Sequence, residues 1–109
     1  MICKSFSPIP GKIRITFELP ASLWAESVSV VADFNDWDPS ATPLHQDRDG
    51  VWRAVVDLPF CQHYEFRYLI DGRWSTDRHA DGFQPNGSGS CNSIVSTRPL
   101  RRRPNLNLG

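Results

Sequence analysis

The stretch Tyr64 to Ile70, running straight into Asp71-Gly72, most restricts what this chain can fold into. Its alternation puts Tyr64, Phe66, Tyr68 and Ile70 on one face and Glu65, Arg67 and Leu69 on the other, the period of a half-buried strand. Aromatic and β-branched side chains suit such a pleated surface. Asp71-Gly72 is a two-residue hairpin signal of the I′ type, so Arg73-Trp74-Ser75 is expected to start the returning strand. A lone hairpin is marginal in water, so further strands must cover its apolar face.

Other segments supply them. Ile13, Ile15, Phe17 and Leu19 alternate with Lys12, Arg14, Thr16 and Glu18, and Pro20 ends the run. Ser27 to Ala32 reads as a strand. So does Val51 to Leu58, with Trp52, Ala54, Val56 and Leu58 on one face, after an Asp47-Arg48-Asp49-Gly50 turn. Asn92 to Thr97 closes the set. No segment has convincing helical periodicity, and short strands separated by turn signals predict an all-β sandwich of about seven strands. Residues 1–10 carry two prolines and no periodicity, and are expected to be a lead-in; residues 77–90, rich in Asp, Gly, Asn and Ser, a long loop. Trp24, in the connection Ala21 to Glu26, is expected to lie as a lid on the core edge. The folded domain is placed at 11–97 and an Arg-rich, disordered tail at 98–109.

Charge and cysteine usage narrow the function. Arg98, Arg101, Arg102 and Arg103 hold four of the twelve basic residues, which leaves residues 1–97 with a net charge of −4. An acidic body argues against a nucleic-acid groove; a phosphate- or RNA-binding arm is the sharper alternative for the tail alone. There is no apolar run of the ~18 residues a membrane helix needs, and Met1 to Phe6 has no signal-peptide pattern. Cys3, Cys61 and Cys91 are widely spaced and odd in number, which points to reduced thiols in a cytoplasmic protein, with a Cys61–Cys91 bridge as the alternative, and to no zinc or redox motif. His45, His63 and His79 lack ligand spacing, so no metal or cofactor is implied. The aspartates Asp33, Asp36, Asp38, Asp71, Asp77 and Asp81 fall at strand ends and in loops, where Asp serves turns. A sandwich this small has little room for the carboxylate-flanked cleft of a glycosidase, so an independent hydrolase is disfavoured.

Two tryptophans remain to be placed. Trp37 sits in the polar turn Phe34-Asn35-Asp36-Trp37-Asp38-Pro39, and Trp74 follows the tight Asp71-Gly72 turn. Each either folds back over the core or is displayed to a ligand. Phe34 is expected to plug the core beneath its turn. Arg67 points outward if Phe66 and Tyr68 point inward. Asn92 opens the last strand, where Asn also fixes turns.

Phe34-Asn35-Asp36-Trp37, the Asp-Gly-Val-Trp run at 49–52, the Asp-Gly-Arg-Trp hairpin at 71–74 and Asn92-Ser93-Ile94-Val95 occur in one order and spacing. Together they make the chain similar to family 48 carbohydrate-binding modules over roughly residues 10–97. These are early-set, isoamylase N-terminal-like domains that accompany starch- and glycogen-acting enzymes of the α-amylase superfamily and form the glycogen-binding domain of AMP-activated kinase β subunits. The chain looks most like the short bacterial versions without an attached catalytic domain. The resemblance implies an immunoglobulin-like fold and a non-catalytic domain that binds α-glucan. Trp37 and Trp74 would stack on glucose rings, and Arg67 and Asn92 would contact hydroxyls. It also implies an apolar contact on the loop before Asn92, where this chain has Ser88. The alternative is a protein-interaction domain acting with a glucan-metabolising enzyme in trans.

Overall fold

The computed structural model describes residues 1–87 and 89–99. Ser88 and residues 100–109 lie outside the described residues, as therefore do the expected departure at Ser88 and most of the Arg-rich tail. The described chain forms nine strands: β1 (Ile2–Phe6), β2 (Lys12–Leu19), β3 (Val28–Ala32), β4 (His45–Gln46), β5 (Trp52–Pro59), β6 (His63–Ile70), β7 (Arg73–Ser75), β8 (Gly82–Pro85) and β9 (Cys91–Ser96). One antiparallel sheet has the order β1-β2-β5-β4; the other has β3-β6-β9-β8, with β7 also paired to β6. The architecture is the immunoglobulin-like β-sandwich expected from the alternation and the motifs.

Alternation decides the inner faces. Ile13, Ile15 and Phe17 of β2 and Trp52, Ala54 and Leu58 of β5 meet Val28, Val30 and Ala32 of β3, Phe66 and Tyr68 of β6 and Val95 of β9 in one core. Phe17 is central: its ring lies 5.0 Å from Phe66, 6.0 Å from Phe34 and 6.5 Å from Tyr68, centroid to centroid. Phe34 thus plugs the core beneath its turn. Trp52 is buried and donates its Nε1–H to Leu23 O at 3.3 Å.

Three expectations need correction. Residues 2–6 are not a lead-in: β1 pairs along β2 from Ile2 opposite Phe17 to Phe6 opposite Ile13. The segment 77–90 is not all loop, since β8 pairs with β9. Edge strands such as these bury few side chains, so their sequences alternate weakly. Trp24 is no lid either. It is 94% exposed, while its neighbour Leu23 packs against the core.

Between the sheets, Asp77 is 3% exposed. It accepts hydrogen bonds from Tyr68 Oη and the Met1 amino group, both at 2.7 Å, and from the His79 backbone N–H at 2.8 Å. Burial opposes its ionised form, but these donors outweigh it and hold its carboxyl below the usual range. Burial, reinforced by the Asp77 carboxylate, pushes the Tyr68 phenol far up.

Candidate functional site

The outer face of the second sheet carries the predicted site residues, and its topology explains where they meet. On one side β6 pairs with β3 from Phe66 to Ile70, with Arg67 opposite Val31. On the other side it changes partner. β9 covers it as far as Phe66, opposite Ser93, and β7 begins at Tyr68, opposite Ser75. Arg67 falls at the junction. The start of β9 brings Asn92 to one side of it, and β7 brings Trp74, opposite Leu69, to the other.

Trp37 arrives from the β3 edge. A 3₁₀ turn at Asp33–Asn35 follows β3 directly, and Asp36 and Trp37 then take positive φ, 58° and 55°. Left-handed backbone is common for Asp but strained for a residue as bulky as Trp. The Asn35 side chain holds the turn. Its Oδ1 accepts from Ala32 N, and its Nδ2 donates to Val30 O and Thr42 Oγ1, each at 3.0 Å. The Trp37 N–H donates to Ala32 O at 2.8 Å, and Val30 N–H to Thr42 O at 2.9 Å. The turn, the Asn35 side chain and the backbone of residues 42–44 together satisfy the outer edge of β3, where an unpaired strand would otherwise offer its backbone to another chain.

The outcome is an open groove of about 430 Å³ lined by Val31, Trp37, Arg67, Trp74, Asn86 and Asn92. All four predicted site residues lie in it. Trp37 is 40% exposed and Trp74 51%. The Arg67 guanidinium carbon lies 5.4 Å from the Trp74 ring centroid, within cation–π range. Its Nη2 donates to Ser90 Oγ at 3.2 Å, whereas its Nε is buried with no partner among the described residues. Asn92 donates through Nδ2 to Glu65 Oε1 at 3.2 Å and accepts through Oδ1 from Asn86 Nδ2 at 3.4 Å. The Glu65 backbone N–H in turn donates to Asp33 Oδ2 at 3.1 Å, tying this end of β6 to the Trp37 turn. Partial burial, with the Glu65 carboxylate adding to it, raises the Asp33 carboxyl.

Val31 and Asn86 are groove residues that the sequence reasoning missed. Val31 is 0% exposed yet stands outside the core cluster, because the groove side chains cover it from the other face. Its signal was present: Val28-Ser29-Val30-Val31-Ala32 breaks strict alternation at Val31, an apolar residue in an outward position. Asn86, in Pro85-Asn86-Gly87, carried only a turn signal. A separate cavity of about 400 Å³ is lined by residues including Met1, Leu19, Val51, Asp77 and His79. The one buried carboxylate there is already committed to Tyr68. Among the described residues no group of three or more His, Cys, Asp or Glu side chains is placed to hold a metal ion, and no helix is long and apolar enough to cross a membrane. Cys3, Cys61 and Cys91 are free thiols.

Residues 14–84 match the sequence profile of carbohydrate-binding module 48 (isoamylase N-terminal domain). The chain belongs to this family. Curated relatives are 1,4-alpha-glucan branching enzymes. The enzyme of Aquifex aeolicus is 31% identical over 85 residues, 71% of this chain and 13% of its own length. That of Nitrosomonas eutropha is 35% identical over 80 residues, 68% of this chain and 11% of its own. A shorter match, 42% over 45 residues, covers 36% of this chain and 6% of a branching enzyme of Xanthomonas campestris pv. campestris. This module 48 domain thus spans only a small part of each of those enzymes.

Proposed function

We propose that the groove binds an α-1,4-linked glucan such as glycogen or starch, without catalysis, by stacking glucose rings on Trp37 and Trp74. The observation that carries this reading is the convergence of two half-exposed indoles, Arg67 and Asn92 on one groove. A glucose ring shows C–H groups on its faces and hydroxyls around its rim. The indoles cover the faces, and planar guanidinium and amide groups address the rim. Two separate platforms from a turn and a strand suit a curved chain better than a flat row would. A neutral ligand needs no strong field.

The expected magnitude follows from exposure. An indole presents up to ~250 Å²; about half is free at Trp74, and one sugar face would cover roughly half of that, ~60 Å² at ~25 cal/mol per Å². Each platform then contributes about 1.5 kcal/mol, or roughly tenfold in affinity. Affinity electrophoresis in glycogen should retard the wild type, Trp37→Ala and Trp74→Ala less, and the double variant least. No retardation of the wild type, or retardation unchanged in the double variant, would refute the reading.

A second reading is an interaction domain working with a glucan-metabolising enzyme in trans. The observation favouring it is Trp24, almost wholly exposed outside the groove. Under that reading Trp24→Ala weakens pull-down of a purified branching enzyme and leaves glycogen retardation intact.

A further inference from the structure

Glu65 lies outside the four residues assigned to sugar contact, yet one of those four depends on it. Along β6, Glu65 and Arg67 are two residues apart and share the outer face, about 6–7 Å from one another along the strand. Asn92 stands beside them at the start of β9. No ion pair joins Glu65 to Arg67 among the described residues; the Glu65 carboxylate goes instead to Asn92 Nδ2 at 3.2 Å.

The chemistry of that contact decides which way the amide points. An Asn side chain has a donor end and an acceptor end of nearly equal size, and only its partners distinguish them. An ionised carboxylate can only accept, so it must face the nitrogen. The Asn92 oxygen then turns to the Asn86 side, where it accepts at 3.4 Å. Among the described residues, one Nδ2 hydrogen and one Oδ1 lone pair of Asn92 are left over. Glu65 is itself held in place, through its backbone N–H, by Asp33 at the base of the Trp37 turn.

We propose that Glu65 is a positioning residue of the groove: its carboxylate locks the Asn92 amide so that Asn92 offers a sugar diol a donor and an acceptor in fixed places. This rests on the α-glucan reading given above. Glu65 acts through Asn92 and makes no sugar contact of its own.

A double-mutant cycle on the full chain tests it, with maltoheptaose as the probe in calorimetry and glycogen gels in parallel. Glu65→Ala should weaken maltoheptaose binding roughly fivefold, the scale of one misplaced hydrogen bond. Glu65→Gln keeps an acceptor for Nδ2 but adds a donor end that fits the Asn92 oxygen as well, so it should bind less tightly than the wild type, at or above the level of Glu65→Ala. In an Asn92→Ala background, Glu65→Ala should change nothing further. A readout free of sugar accompanies it: in NMR spectra of the unliganded protein, the Asn92 side-chain amide pair should move in Glu65→Ala while that of Asn35 stays. Equal losses from Glu65→Ala with and without Asn92 would overturn the proposal, since Glu65 would then act directly. So would a Glu65→Gln variant that binds as tightly as the wild type, since an acceptor-only group would then be unnecessary, or an unmoved Asn92 amide pair. If the wild type binds and Trp37→Ala abolishes binding while Glu65→Ala has no effect, only the role of Glu65 falls. If the wild type binds neither probe, the glucan reading fails and takes this one with it.

Discussion

Replacing Asn35 by Ala removes the side chain that stands in for a neighbouring strand along the free edge of β3. Asn35 accepts from Ala32 N and donates to Val30 O and Thr42 Oγ1, each at 3.0 Å. The rest of that edge is satisfied by backbone: Leu44 N–H to Val28 O and Val30 N–H to Thr42 O lie on one side of it, and Trp37 N–H to Ala32 O on the other. Truncation leaves a donor and an acceptor on two buried residues without partners. At about 1–3 kcal/mol for each unmet group, moderated because water can reach a sheet edge, the loss should be about 3 kcal/mol. For a domain of this size that lowers Tm by roughly 15 °C, readable by thermal and urea denaturation followed by circular dichroism. Asn35→Asp is the informative control. It keeps the size and the acceptor for Ala32 N but turns an oxygen toward Val30 O, so it should cost about as much as Ala. A loss under about 0.5 kcal/mol for Ala, or a harmless Asp, would refute the idea that this side chain replaces a strand.

Three further outcomes are expected. Trp37→Gly should abolish most glycogen retardation and unfold at a higher Tm than Trp37→Ala, by an amount worth up to about 1 kcal/mol, because Gly relieves the φ of 55° and Ala does not; a Gly variant no more stable than the Ala variant would show that this backbone carries no strain. Phe17→Ala should cost about 3–5 kcal/mol in urea unfolding, since it empties the centre of the ring cluster. The Asp77 carboxyl is depressed in the folded state, against burial, by its hydrogen bonds; the stability it contributes is present above the unfolded carboxyl pKa and lost as pH falls through the lower folded value. Asp77→Asn should therefore flatten the acid limb of a Tm-versus-pH profile relative to wild type, and an unchanged limb would count against that role.

Strand alternation is a local property, and where it is strong the sequence settled the matter alone. The faces of β2, β5 and β6, the core placement of Phe17, Trp52 and Phe66, the all-β class and the outward position of Arg67 all follow from period two. The four motifs were enough to mark the family, and with it Trp37 and Trp74 as a pair. Edge strands escape such reading because they borrow their register from a neighbour and bury few side chains: β1, β4 and β8 became visible only when paired. Trp24 escaped for a related reason, since in a connection without a period nothing tells Leu23 from Trp24 as the inward residue.

The groove itself belongs to the tertiary structure. It opens at Arg67 because β9 stops pairing with β6 at Phe66 and β7 starts at Tyr68, and no residue at that junction announces the change of partner. Val31 lies in the groove where Arg67 stands opposite it, and the Asn92 amide meets Glu65 at 3.2 Å across the strands. Residue types and periods fix what each strand can bury. Which strands lie side by side fixes what their outer faces can hold, and that is set by the packing of the whole chain.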